Sequence, residues 1–215
     1  MDILYSDDRV VVCIKPAGVL STDEPGGMPE LLRAELGDDG QPILSIHRLD
    51  RPGGGVMVYA RTHRAAAELG EQMRRGRFHK EYFAVVHGTP EKERVVLRDF
   101  LHRNTEEHKS YIVPDKQPGS LDAVLETQLV ETRDELSLLR VRLMTGRTHQ
   151  IRCQLAGHGL PIVGDRKYGL PEDGESPALW SCHLLFFHPR TGEKHSYYIK
   201  PPETEPWNRF TFPGE

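Results

Sequence analysis

The chain has 215 residues, 37% of them hydrophobic and 28% charged, with a mean hydropathy of −0.53. That suits a globular protein with its own core rather than a wholly disordered one. No apolar run approaches the roughly 20 residues of a membrane span, and residues 1–12 lack the basic-then-apolar pattern of a secretory leader. Cys13, Cys153 and Cys182 are odd in number and far apart, which argues against a disulfide framework or cysteine zinc site and for a cytoplasmic setting. The net charge is −4, yet residues 47–80 and 140–167 each carry +5. Two basic segments in an acidic chain fit either a bounded polyanion site or two solvated faces.

Residues 9–14 form an apolar, β-branched run that reads as a buried strand, broken by Lys15-Pro16-Ala17-Gly18. A Gly-, Pro- and acid-rich stretch over 21–42 surrounds a short helix at 29–36. Strands are expected at 44–49 and 56–60, flanking the strong turn signal Asp50-Arg51-Pro52-Gly53-Gly54-Gly55. Thr62 is placed to cap a helix carrying Ala65, Ala66, Leu69 and Met73 on one face and ended by Gly76. Strands follow at 82–86 and 121–130, and the polar stretch 104–120 reads as a loop. Apolar and basic residues alternate over 139–143, so a strand there buries one face and presents Arg140 and Arg142 on the other. Thr148 is placed to cap a second helix over 149–156, and 197–199 is a late strand. Strands outnumber helices without alternating regularly, which favours a mixed, mostly antiparallel sheet of α+β type.

Asp50 sits where a strand enters a glycine-rich turn, with Arg48 and Arg51 beside it to favour the ionised form. Taken alone, an aspartate chosen for its turn propensity is the simpler reading. Arg147 precedes a helix start, where unpaired N–H groups suit an anion, although a capped helix with a surface arginine fits equally. Tyr82 lies on a strand, where packing is the usual role and stacking on a base or moving a proton the functional one. The eleven histidines contain no HExxH pattern, and there is no Walker loop or GxGxxG fingerprint.

These segments together resemble the RluA-type pseudouridine synthases. Ile14-Lys15-Pro16-Ala17-Gly18 is similar to the family's KPxG turn, His47-Arg48-Leu49-Asp50 to its HRLD motif, and Lys80-Glu81-Tyr82 with Val86-His87-Gly88 to its KxY…VxG strand. Residues 146–152, GRTHQIR, match a further motif, and residues 164–169, GDRKYG, match its GDxxYG turn. Residues 183–189 resemble the closing LxFxHP strand. One departure stands out: after HRLD the family usually reads xxTSG, where this chain has Arg51-Pro52-Gly53-Gly54-Gly55 and so lacks two hydroxyls.

The resemblance implies a single catalytic domain over 1–215 without an N-terminal S4 domain. Its fold would be a central mixed, mainly antiparallel sheet with flanking helices and a catalytic cleft. It implies isomerisation of uridine in ribosomal or transfer RNA by a monomer needing no metal or cofactor. Asp50 would be the nucleophile, Tyr82 the ring on the flipped uracil and proton acceptor, and Arg147 the partner that positions Asp50. Arg48 would fill the space the base vacates. RNA would be held by Arg48, Arg51, Arg77, Lys80, Arg140, Arg142, His149 and Arg152. The competing expectation is an RNA-binding protein that keeps the fold without the chemistry.

Overall fold

The computed structural model describes residues 2–37, 40–170, 174 and 176–214. In chain order its elements are β1 (Ile3–Ser6), β2 (Val10–Lys15), α1 (Met28–Leu36), β3 (Leu44–Ser45), β4 (Gly54–Ala60), α2 (His63–Arg74) and β5 (His79–His87). There follow β6 (Arg94–Asn104), β7 (Lys109–Val113), β8 (Ser120–Arg133), β9 (Leu136–Leu143), α3 (Gln150–Gly157), β10 (Leu179–Phe187) and β11 (Lys194–Tyr198). Strands predominate and nearly all pairings are antiparallel, as the α+β expectation requires. The backbone divides into two compact units, one of Met1–Lys80 with Trp180–Ile199, the other of Glu81–Leu179 with Lys200–Glu215.

In the first unit β2 pairs antiparallel with both β1 and β4. The run Val10-Val11-Val12-Cys13 is buried throughout because both of its faces are covered. Val10 and Val12 pack with Val56, Val58, Ala65 and Leu69, which brings α2 onto one face. Val11 and Cys13 pack with Met28, Leu32, Met57 and Tyr59, which brings α1 onto the other. Helix α2 starts at the expected cap, where the Thr62 hydroxyl accepts from the Ala65 N–H. The expected strand over 44–49 shrinks to Leu44–Ser45. Past that point the chain leaves the sheet, and its polar groups are satisfied by side chains instead.

Gly54, one of the two glycines that stand where the family has hydroxyls, has a steric cause, and so has Gly55, where the family also reads glycine. Strand β10 runs parallel to β4 through the pairs Trp180–Gly54 and Ser181–Gly55. A Cβ on Gly54 would lie 2.7 Å from Trp180 Cζ3 and 3.1 Å from the Lys15 carbonyl oxygen. One on Gly55, where φ is +120°, would lie 2.3 Å from the Ser181 carbonyl oxygen. The Trp180 ring therefore occupies the space a side chain at 54 would need.

The second unit is an antiparallel sheet in the order β5-β9-β8-β6-β7. The stretch 104–120, expected as a loop, instead contains a hairpin. The Asn104 Oδ1 accepts from the Glu106 and Glu107 N–H groups at 3.0 and 3.1 Å, His108 adopts a left-handed φ of 49°, and β7 returns along β6. Helix α3 begins at Gln150 and not at the Thr148 cap expected. His149 takes the N-cap position with φ 53°, and no side chain caps there. The Gln150 side chain supplies the local bonds, its Oε1 accepting from the Arg147 N–H at 2.9 Å and from the Thr145 hydroxyl at 2.8 Å.

Gly54→Ser should destabilise the protein by about 1–3 kcal/mol through overpacking, and Trp180→Leu should recover part of that loss. Gly55→Ala should not be rescued, because its clash is with backbone. Urea denaturation of the single and double variants measures this; strictly additive effects of Gly54→Ser and Trp180→Leu would show that the ring is not the obstacle.

Candidate active site

The Asp50 loop is pinned on both flanks. On one side the Ser21 hydroxyl donates to the Leu49 carbonyl at 2.6 Å and accepts from the Leu49 N–H at 3.0 Å. The Ser21 carbonyl in turn accepts from the Ser45 and Tyr59 hydroxyls. On the other side the fully buried Lys15 extends its ammonium to three carbonyls, Val19 at 2.7 Å, Pro16 at 2.9 Å and Arg51 at 3.2 Å. Gly18 N–H donates to the same Arg51 carbonyl at 2.8 Å, and Arg51 Nε returns a bond to the Gly18 carbonyl at 2.9 Å. Gly53 N–H donates to the Asp50 carbonyl at 3.0 Å, closing the turn. Asp50 itself is half-buried.

Burial lowers the Lys15 ammonium to about 8, and the negative charge of Asp50 opposes that fall. The sequence offered Arg48 and Arg51 as the cations beside Asp50. In the structure Arg48 and Arg51 are exposed, and the charge of Asp50 also acts on the Lys15 ammonium. The sequence marked Lys15 as part of the KPxG-like turn but gave no sign that it would be buried near Asp50. The strand expected over 44–49, which would have carried Arg48, ends at Ser45, and residues 46–53 carry no strand.

His47, buried, accepts from the Val58 N–H through Nε2 at 3.3 Å and stands edge-on to Phe78. Burial, with the Lys80 charge in the same direction, lowers its imidazole to about 3, so it is neutral at physiological pH. Burial also lowers the Lys80 ammonium. Arg77 is exposed and lies over the Phe187 ring, its Cζ 4.5 Å from the centroid.

In the second unit Tyr82 is 4% exposed and pairs with Val141 across β5 and β9. Arg147 donates through Nε to the Asp122 carbonyl at 2.8 Å. Arg140 donates to Glu81 at 2.7 Å, while Arg142 is exposed on the same strand. The Tyr168 hydroxyl joins two segments, accepting from the Ser110 N–H at 2.7 Å and bonding His149 Nδ1 at 3.0 Å.

Arg152, expected at the RNA surface, is placed in the interior. Its Nε and Nη2 each bond one Asp165 oxygen at 2.7 Å, and the side chains are 6% and 0% exposed. Burial would raise the Asp165 carboxyl, but Arg152 and the N–H groups of Lys167 and Tyr168 outweigh it and hold the carboxyl below its usual range. The pair ties GRTHQIR to GDRKYG. Asp165 was not singled out from the sequence, because a lone acid in a turn carries no signal of a buried partner. Among the described residues no three His, Cys, Asp or Glu side chains cluster as metal ligands.

Set beside known sequences, the chain falls in a class of RNA-modifying enzymes. The family described as RNA pseudouridylate synthase matches residues 9–157. The chain is 38% identical to the ribosomal large subunit pseudouridine synthase D of Xylella fastidiosa (strain Temecula1), over 88% of this chain and 62% of that relative's length. It is 30% identical to the dual-specificity RNA pseudouridine synthase RluA of Vibrio parahaemolyticus, over 92% of this chain and 82% of the relative. The fold is that of human RNA pseudouridylate synthase domain containing 1, with a TM-score of 0.79, 22% identity and coverage of 94% of this chain and 83% of that one. The chain belongs to the RNA pseudouridylate synthase family and is an isomerase of its RluA type.

Below pH 6.5 an unfolded chain takes up a proton at His47 that the folded chain refuses down to about pH 3. Stability should therefore fall as pH falls through that window. His47→Gln, which does not titrate, should lose about 2 kcal/mol less than the parent between pH 7 and pH 4.5, measured by denaturation at each pH. For the buried pair, Asp165→Ala should cost about 3–5 kcal/mol, because Arg152 is left charged and buried. Asp23→Ala, which breaks the more exposed Arg33–Asp23 pair, should cost under about 1 kcal/mol. Equal losses would mean Arg152 finds another partner.

Proposed function

We propose that this synthase converts uridine to pseudouridine in structured ribosomal or transfer RNA in the cytoplasm, as a monomeric single catalytic domain without metal or cofactor, with Asp50 as the nucleophile. The observation that carries this is the pinning of Leu49 by Ser21 and of Arg51 by Lys15, which leaves Asp50 as the unit between two anchored neighbours. A nucleophile that must meet a flipped base benefits from a loop fixed beforehand, since misplacement costs rate steeply.

The N1–C1′ bond of uridine breaks and a C5–C1′ bond forms. The proton on C5 leaves and N1 gains one, so the reaction is redox-neutral. Asp50 takes the covalent or ion-stabilising role while the base turns. Tyr82, held by the sheet, packs against the uracil and accepts the C5 proton. Arg147 positions Asp50, its side-chain stem steadied by the Asp122 carbonyl. Arg48, exposed beside the loop, stacks where the base has left and lowers a flipping cost of a few kcal/mol. Arg51, Arg77, Lys80, Arg140, Arg142 and His149 contribute to holding RNA, while Arg152 holds α3 to the GDRKYG turn.

Asp50→Asn should abolish tritium release from RNA labelled at uracil C5, with a loss of at least about a thousandfold, and leave RNA affinity within a few-fold. Arg147→Lys should lower turnover more than affinity, because lysine lacks the planar fork. Substantial turnover by Asp50→Asn would remove the aspartate from the mechanism.

A further inference from the structure

A second binding feature lies wholly within the second unit. Between β7, the outer side of α3 and the GDRKYG turn is a cavity of about 440 Å³, within the range that encloses small ligands. Its wall carries two ammonium groups, from Lys109 and Lys167, and the rings of Tyr111 and Tyr168; none of its lining residues is acidic.

The cations are not neutralised by ion pairs found among the described residues. Lys109 Nζ lies 5.4 Å from the Tyr111 ring centroid and 5.0 Å from that of Tyr168, so it is held by two aromatic faces. Lys167 Nζ donates to the His108 carbonyl at 2.9 Å. The acid beside the pocket, Glu107, accepts from the Tyr111 hydroxyl and from Asn104 Nδ2, and Asp165 is engaged by Arg152. Tyr111 is 39% exposed, a large ring left open to solvent beside a cation.

The sulfur in the wall does not make this a reactive site. Cys153 donates to the Ser110 carbonyl at 3.2 Å, and burial chiefly, with Asp99 adding, raises its thiol to about 11. A thiol so held is protonated at neutral pH and a poor nucleophile. What the pocket presents is an aromatic platform bordered by two ammonium groups, the combination that takes a base by stacking and a phosphate by charge.

We propose that this pocket binds one nucleotide of a single-stranded RNA segment outside the reacting uridine, with the base on Tyr111 and the phosphate between Lys109 and Lys167. The proposal rests on the reading that the chain acts on RNA and adds a subsite to it. Recognition there is of nucleotide chemistry and tolerant of base identity, because stacking is. The rigid base of the pocket comes from the fit of α3 on β7: a Cβ on Gly157 would lie 2.4 Å from Ile112 Cδ1.

The test uses the full chain, isotopically labelled, titrated with adenosine 5′-monophosphate and separately with inorganic phosphate. Expected are amide shifts at Ser110, Tyr111, Ala156 and Gly157, saturating at lower concentration for the nucleotide than for phosphate. Tyr111→Ala and Lys109→Gln, both changes at the pocket rim, should each weaken nucleotide binding about tenfold. In tritium-release assays on a folded RNA they should raise KM with kcat within twofold. Equal affinity for phosphate and nucleotide, or shifts that miss these residues, would overturn the subsite. If the nucleotide binds as described but no RNA is isomerised, the enzymatic reading fails and the pocket stands; if isomerisation is intact and both variants have the parental KM, the pocket fails alone.

Discussion

The Lys15 side chain is fully buried, and three backbone carbonyls accept from its ammonium in place of bulk solvent. A cation buried without such acceptors would be prohibitively costly. The requirement runs in both directions: the lysine needs the carbonyls of Pro16, Val19 and Arg51, and those carbonyls, drawn inward by it, cannot serve a sheet. The KPAG turn and the residue after Asp50 are thereby bound to one point. The short strand at Leu44–Ser45, the Ser21 bridge to Leu49 and the turn closed by Gly53 all accommodate a loop whose far end is fixed at that ammonium. The charge of Asp50 in turn acts on that ammonium and opposes its loss of a proton, so the lysine that shapes the loop is itself held charged by the loop's carboxylate.

The second unit uses a different device for a similar end. Arg152 and Asp165 meet through two parallel hydrogen bonds in the interior, geometry only arginine supplies. Such a pair adds little net stability over an apolar one, since both charges lose their water. Its effect is to fix orientation. With the Asp165 carboxylate also accepting from Lys167 and Tyr168 N–H, the turn is locked in the pose that presents the Tyr168 hydroxyl to Ser110 and His149. The left-handed His149 at the start of α3 is an uncommon conformation for a non-glycine residue, and its ring bond to Tyr168 holds that residue in place.

Elements whose causes are local were legible in the sequence. The β-branched run of β2, the Thr62 cap of α2 and the alternation in β9 stand where periodicity and capping put them. The misreadings share a cause, which is that distant residues decided the outcome. Residues 46–49 have strand-like composition, yet Ser21 and Lys15 outcompete the sheet for their neighbourhood. Residues 104–113 look like a polar loop because β6 and β7 are only partly covered; the hairpin rests on the Asn104 turn and pairing, not on an apolar pattern. Thr148 had the right chemistry for a cap and lost the position to Gln150, whose longer side chain reaches Arg147, Thr145 and Val124 together. In the site, the family motifs marked Asp50, Tyr82 and Arg147, but no spacing rule could join Arg152 to Asp165 or couple Lys15 to Asp50. Gly54 looked like a lost hydroxyl; Trp180, more than a hundred residues away in sequence, is what it makes room for, while Gly55 makes room for the Ser181 backbone.

Formal charge in the two basic segments overstates what is available to a polyanion. Arg74 and Arg75 both engage Glu71, Arg140 engages Glu81, and Arg152 is buried on Asp165. Such pairs gain less from a phosphate, because the existing carboxylate must first be displaced or its field overcome. Cations that rest on rings or carbonyls, as Arg77 does on Phe187 and Lys109 on two tyrosines, carry no such penalty. An acidic protein can therefore take up RNA through a small number of uncompensated cations, while the remaining arginines brace the fold. Counterion release scales with phosphates neutralised and not with net charge, so the salt dependence of binding reports that smaller set.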